Sequence, residues 1–251
     1  HGSMASAGRR VEDMRRIAMM VLRLFLKAPY YLFCIWRCGR REVGLEEAYA
    51  CVKKVTKAAN RAGRVTIEAH GLENIPQEKG FIFFPNHQGL FDVLVFLESC
   101  PVPFSFVIKK EASKVILLKQ VVAALRSIII DREDVRQSMQ VINQMAEEVK
   151  KGRNFLIFAE GTRSREGNRL LPFKGGTFKS AQKAKCPIVP CALIDSFKPF
   201  DEKSIAPVTV KLYYLKPMYY EEYAGMKTNE IAAEVKRRIE EAIAVHDIPA
   251  V

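Results

Sequence analysis

Histidine is scarce in this chain: four in 251 residues, one of them in the leading His1-Gly2-Ser3, which reads as a cloning remnant ahead of Met4. His87 follows the apolar run Phe81–Pro85, and Asp92 stands five residues later, just before a second apolar run, Val93–Leu97. That order puts the imidazole at the C-terminal end of a strand, the edge where open α/β sheets place their sites. It puts the carboxylate near the start of the next helix. A turn leading into a helix brings such a carboxylate back onto the ring, where it fixes the tautomer and stabilises the imidazolium. No Ser or Cys nucleophile accompanies the pair, so a base here would activate a hydroxyl of the substrate itself. Taken alone, the same residues also describe a helix-capping Asp92 and a loop histidine that satisfies backbone groups.

A second stretch, Glu160-Gly161-Thr162-Arg163, follows another apolar run, Phe155–Ala159. Glycine lets the backbone approach a ligand closely, and Arg163 offers a forked donor suited to phosphate. Glu160 would hold either Arg163 or neighbouring backbone in place. In isolation this composition also fits a solvated turn. Two such loops at the C-terminal strand ends of one sheet form a more specific pattern.

The elements that must position these residues begin at Val65. Short apolar runs at Val65–Ala69, Phe81–Pro85, Phe104–Ile108, Ser127–Ile130, Phe155–Ala159, Ile188–Leu193 and Val208–Leu215 read as strands, several buried on both faces. Val135, Met139, Ile142, Met145, Ala146 and Val149 recur at helical spacing and end before Gly152. Ile231, Val235, Ile239 and Ile243 form a second stripe, with Thr228 as its N-cap. Alternation of strand and helix predicts an α/β fold: a mostly parallel central sheet flanked by helices. The division expected is residues 1–3 as remnant, 4–63 as N-terminal membrane-associating helices, and 64–251 as the α/β domain.

Met14–Trp36 is apolar, but Arg15, Arg16, Arg23 and Lys27 interrupt it and Pro29 falls inside it. It fails as a simple spanning helix, which needs roughly 20 apolar residues with few charges. It fits a helix lying in the membrane interface, with Phe25, Tyr30, Tyr31, Phe33 and Trp36 near the headgroups. Arg37, Arg40 and Arg41 would each add about 1 kcal/mol of attraction to an anionic surface. A buried helix with snorkelling basic ends has the same composition. Leu45–Ala62 reads as a more polar helix that completes a two-helix membrane-binding hairpin.

The balance of 40 Lys and Arg against 28 Asp and Glu gives a net charge of +12, which favours anionic partners without choosing among them. The six cysteines form no CxxC pair and no metal-type cluster with histidine, and read as free thiols in a reducing compartment. No small-residue cleavage site follows the first apolar stretch, so no signal peptide is read. Nucleic-acid binding finds no RNP-like, helix-turn-helix or zinc-finger pattern to support it.

Asn86-His87-Gln88-Gly89-Leu90-Phe91-Asp92, an HX4D motif, together with Phe158-Ala159-Glu160-Gly161-Thr162-Arg163-Ser164, resembles the glycerolipid acyltransferase family in its bacterial 1-acylglycerol-3-phosphate (lysophosphatidic acid) acyltransferase branch. The resemblance runs from about Val65 to Leu215. Ile130-Asp131-Arg132 resembles the family's second block and Ile188-Val189-Pro190 its fourth; Lys109 and Lys174-Gly175-Gly176 also follow its pattern. The chain departs from it at Ala159 (usually Pro), Gly89 (often Ser), Arg126 (a Gly) and Ile129 (an aromatic).

The resemblance implies a membrane-surface enzyme of phospholipid biosynthesis, on the cytoplasmic face of a bacterial cytoplasmic membrane as a peripheral or monotopic protein. His87 would take the proton from the sn-2 hydroxyl of lysophosphatidic acid while Asp92 holds the imidazolium. Acyl-ACP or acyl-CoA would be the donor, with neither metal nor other cofactor. Lys109 and backbone N–H groups near Gly161 would meet the oxyanion, and Arg163 with Arg132 would bind the acceptor phosphate; Glu160, Gly161 and Thr162 complete that loop. The alternatives are a different lysolipid acceptor, such as a lyso-aminolipid, and a catalytically silent lipid-binding protein on the same fold.

Overall fold

The computed structural model describes residues 14–40, 42–114 and 116–248. His1-Gly2-Ser3 and Arg41 lie outside them. All seven expected strands are present: β1 (Val65–His70), β2 (Ile82–Pro85), β3 (Ser105–Lys109), β4 (Ile128–Ile130), β5 (Phe155–Leu156), β6 (Ile188–Ile194) and β7 (Val208–Tyr214). They form one sheet in the order β1-β7-β6-β2-β5-β3-β4. Every neighbouring pair is parallel except β6 with β7. The C-terminal ends of β2, β3, β4, β5 and β6 therefore share one edge, and those of β1 and β7 lie at the other.

The central strands are buried on both faces because helices cover both. Alternate residues feed two separate cores, as the two-residue period of a strand requires. Phe81, Phe83, Leu156, Val189, Cys191 and Leu193 enter one core. Ile82, Phe84, Phe155, Ile157, Ile188 and Ala192 enter the other.

Helices α1 (Arg15–Arg23), α2 (Ala28–Cys38), α3 (Leu45–Ala62), α4 (Phe91–Ser99) and α5 (Ile116–Ala124) contribute to the first core. Helices α6 (Val135–Lys150), α7 (Lys179–Ala184), α9 (Tyr220–Tyr223) and α10 (Thr228–His246) contribute to the second, while the short α8 (Lys198–Asp201) follows β6. On α3 the residues Ala48, Tyr49, Val52, Thr56 and Asn60 face inward at helical spacing. Lys53 Nζ donates to the carbonyls of Glu98 and Cys100, both at 2.8 Å, where α4 exposes its unsatisfied C-terminal carbonyls.

Three expectations need correction. The segment 14–36 is not one helix but two, α1 and α2, bent by 100° about their short break. No single described helix is long and apolar enough to cross a membrane; the bent pair together meets the length and composition criteria. The stripe on α6 is displaced: Val135 and Met139 are exposed, whereas Val141, Met145, Ala146 and Val149 are buried. Asp134, not a hydrophobic residue, decides that helix's start by accepting the Gln137 N–H at 3.1 Å. Thr228 is the first residue inside α10; Lys227 is the N-cap, with no side-chain cap bond.

Arg126 shows why a glycine suits its position. Its φ is 52°, in the left-handed region, and its side chain compensates by donating to Val43 O at 3.0 Å. The six cysteines are all free thiols.

Candidate active site

His87 leaves β2 through Asn86, whose side chain continues the β2–β6 ladder. Asn86 Nδ2 donates to Leu193 O at 3.0 Å and Asn86 Oδ1 accepts from Leu193 N at 2.7 Å. The turn then folds onto Asp92, in the first turn of α4 and fully buried. One oxygen, Asp92 Oδ2, accepts from the amides of Gln88 (2.7 Å) and Gly89 (3.1 Å) and lies 2.7 Å from His87 Nδ1. Capping the turn and holding the imidazole are thus one arrangement, not two alternatives. An oxygen that already accepts two N–H bonds is an acceptor for the ring as well, so the Nδ1–H faces Asp92 and Nε2 is the ring nitrogen left to meet a substrate. The ring stacks on Phe158 at a centroid distance of 4.0 Å.

The second loop is tied to the first through the backbone of His87. Glu160 Oε1 accepts the His87 N–H at 2.6 Å, and the Ser164 N–H donates to His87 O at 2.8 Å. Glu160 Oε2 accepts from Leu171 N at 2.7 Å. Of its two expected roles, Glu160 therefore takes the backbone-holding one. Burial pushes its carboxyl up to about 7, outweighing the two N–H bonds that favour the anion.

Gly161 has φ 82°, and a Cβ there would collide with the Arg132 guanidinium and approach Lys174 Nζ at 2.9 Å. Two cations from elsewhere in the chain are thereby brought over this turn. The Gly161 N–H itself donates to Phe158 O at 3.3 Å, closing the turn. Arg163 pairs with Asp201 of α8, its Nη1 lying 3.1 Å from Oδ1.

His87, Lys109, Arg132, Gly161, Thr162 and Arg163 all line one cavity of about 310 Å³. Its apolar wall is built from Leu90, Val93, Phe106, Ile108, Leu118 and Phe158. Arg165 adds a further cation. Burial, followed by the nearby Arg132, lowers the Lys109 ammonium pKa, with Lys174 and Arg165 acting in the same direction. Burial also lowers that of Arg132. Such a cavity suits a molecule with an anionic head and an apolar tail. A larger groove of about 990 Å³ lies at the opposite sheet edge, beyond β1 and β7, and contains none of these residues.

Two positioning groups, Gln88 and Asp201, carry no signal of that role in the sequence. Gln88 Oε1 accepts from Ser196 N at 2.7 Å, and Gln88 Nε2 donates to Asn168 Oδ1 at 2.8 Å, pinning the turn from two later loops. Asp201 carries no motif, and its link to Arg163 across 38 residues is visible only in three dimensions.

The site sets a His–Asp pair and a cationic loop together at one edge of a mostly parallel α/β sheet. The family model described as Acyltransferase matches residues 66–194, and the chain belongs to that family. It is 32% identical over 120 residues to the 1-acyl-sn-glycerol-3-phosphate acyltransferase of Helicobacter pylori, covering 48% of this chain and 51% of that protein. It is 29% identical to the chloroplastic 1-acyl-sn-glycerol-3-phosphate acyltransferase BAT2 of Brassica napus, over 70% of this chain and 50% of the relative. The chain thus matches about half the length of these curated relatives. The crystal structure of the 1-acyl-sn-glycerophosphate (LPA) acyltransferase PlsC from Thermotoga maritima shares the fold. Its TM-score is 0.73 at 24% identity, covering 92% of this chain and 97% of that one.

Proposed function

We propose that this chain transfers a fatty acyl group from an acyl thioester, acyl-ACP or acyl-CoA, to the sn-2 hydroxyl of lysophosphatidic acid, yielding phosphatidic acid. The observation that carries this reading is the His87–Asp92 pair at the wall of a cavity lined by both cations and apolar side chains. His87 Nε2 removes the hydroxyl proton as the oxygen attacks the thioester carbonyl. The resulting oxyanion is stabilised by Lys109 and by amides beside Gly161. Collapse breaks the C–S bond, and the imidazolium returns its proton to the departing thiolate. Arg132 and Arg163 hold the acceptor phosphate, so the hydroxyl meets the base in a fixed orientation.

The apolar surface of α1 and α2 supports action at an anionic membrane surface; the cytoplasmic face of a bacterial membrane is the location this reading assigns. Leu22, Phe25, Leu26, Phe33 and Trp36 are exposed, Leu26 at 89%. Arg40 lies over the Trp36 ring at 5.0 Å. Five exposed large apolar side chains within 15 residues, with a basic residue beside them, fit an interfacial helix pair better than an aqueous surface.

The deciding assay offers the purified protein acyl-CoA and acyl-ACP with a panel of lysolipids in mixed vesicles. Formation of phosphatidic acid supports the reading. Turnover confined to a lyso-aminolipid, or to none of the acceptors, refutes it.

A further inference from the structure

Asp201 sits in a segment held from three sides. Phe200 packs edge-on against Phe91, the residue before Asp92, at a centroid distance of 5.2 Å. Arg16 of α1 is only 2% exposed and reaches the same segment. Its Nε donates to Pro199 O at 3.0 Å, and its Nη2 donates to Ser204 O and Ala206 O at 2.9 and 3.0 Å. Its Nη1 donates to Gly63 O at 2.6 Å, so the same guanidinium also grips the end of α3. A buried arginine satisfied by four main-chain carbonyls fixes backbone, since each bond it loses leaves a buried charge uncompensated. The position fixed this way is that of the Asp201 carboxylate, whose oxygens lie 3.1 and 3.4 Å from Arg163 Nη1. Both partners are largely buried, at 15% and 17% side-chain exposure. A Cβ on Gly89 would stand 3.7 Å from the same Arg163 nitrogen and 4.0 Å from Asp201 Oδ2, so the pair borders the His87 turn directly.

We propose that Asp201 is a positioning residue for acceptor binding: it sets the direction of the Arg163 guanidinium in the cavity, and Arg16 fixes the segment that carries it. A long arginine side chain loses much rotamer freedom when it clamps a phosphate. A carboxylate that pre-orients it removes part of that loss before the acceptor arrives. Asp201 is not among the residues that line the cavity, whereas Arg163 is, so its influence on the reaction runs through Arg163 and falls on acceptor affinity. The inference rests on the lysophosphatidic acid reading given above.

The test is steady-state kinetics of wild type, Asp201→Asn, Asp201→Glu, Arg163→Lys and the Asp201→Asn/Arg163→Lys double variant, with lysophosphatidic acid and the thioester varied in turn. Asp201→Asn is isosteric and is expected to keep the wild-type melting temperature within a few degrees. Its KM for lysophosphatidic acid should rise about tenfold, with kcat and the thioester KM within about twofold of wild type. Asp201→Glu should recover part of the affinity, and the double variant should lose less than the product of the single losses. An unchanged lysophosphatidic acid KM in Asp201→Asn overturns the inference, as does a parallel fall of kcat and both affinities with melting temperature. A wild type that acylates no lysophospholipid removes the functional reading and this inference together; an active wild type with an indifferent Asp201→Asn removes this inference alone.

Discussion

The backbone N–H of His87 donates to Glu160 Oε1 at 2.6 Å, so the buried carboxyl of one loop sets the height of the imidazole on the other. Burial raises the Glu160 pKa from its usual 4.5 to about 7. A carboxyl raised on folding contributes stability that is fully present below about 4.5 and is lost as pH rises through about 7. Glutamine does not titrate there. The stability difference between wild type and Glu160→Gln should therefore shift against wild type by on the order of 2 kcal/mol between pH 4.5 and pH 8. Denaturant melts at a series of pH values read this directly; a pH-independent difference would show that the carboxyl is not perturbed.

Asp92 Oδ2 serves three donors at once, the His87 ring and two turn amides. In Asp92→Asn the side-chain carbonyl can still cap the amides, but the ring loses its anionic partner and its enforced tautomer. The expected outcome is a fall in kcat of about 10³–10⁴ with little change in the KM for either substrate. Circular dichroism should show the folded state retained.

Gly161 has φ 82° and sits beneath Arg132 and Lys174. Gly161→Ala must strain the backbone by roughly 1–3 kcal/mol and displace both cations. Acceptor KM should rise at least tenfold, and thermal unfolding should come at a lower temperature. An alanine variant with wild-type acceptor affinity would mean that Arg132 does not bind the phosphate.

Phe25 and Leu26 are exposed at the break between α1 and α2, away from the core residue Met20. Replacing both by Ser and Glu should leave the melting temperature nearly unchanged and weaken sedimentation with anionic vesicles about tenfold or more. Wild-type vesicle binding by that variant would place the membrane contact elsewhere.

Most of the sheet was legible because its strands are runs of β-branched and aromatic residues punctuated by turns, with β2, β5 and β6 buried on both faces. His87 and Glu160–Arg163 stood out because each follows such a run at the sheet's C-terminal edge, and Asp92 because it opens the helix five residues after His87. Periodicity served less well where charge intervened. Arg16 reads as an interruption of an apolar helix, yet it is the buried group that fastens α1 to main-chain carbonyls. Val135 and Met139 match a helical stripe but face solvent, since Asp134 sets the start of α6 and the core begins only at Val141. Asp201 had no local signal, because its partner is chosen by the path from β6 to β7 and not by spacing.

The central claim is that His87 activates a hydroxyl of the acceptor lipid without an acyl-enzyme. It is tested most directly by mixing protein with isotopically labelled acyl thioester and lysophosphatidic acid, then following labelled lipid product and labelled protein by mass spectrometry in wild type and His87→Ala. The account expects phosphatidic acid labelled at sn-2 from wild type, no acylated protein at any time, and a loss of product of at least about 10³-fold in His87→Ala with vesicle binding intact. Wild-type turnover by His87→Ala, or label trapped covalently on the chain, would contradict it.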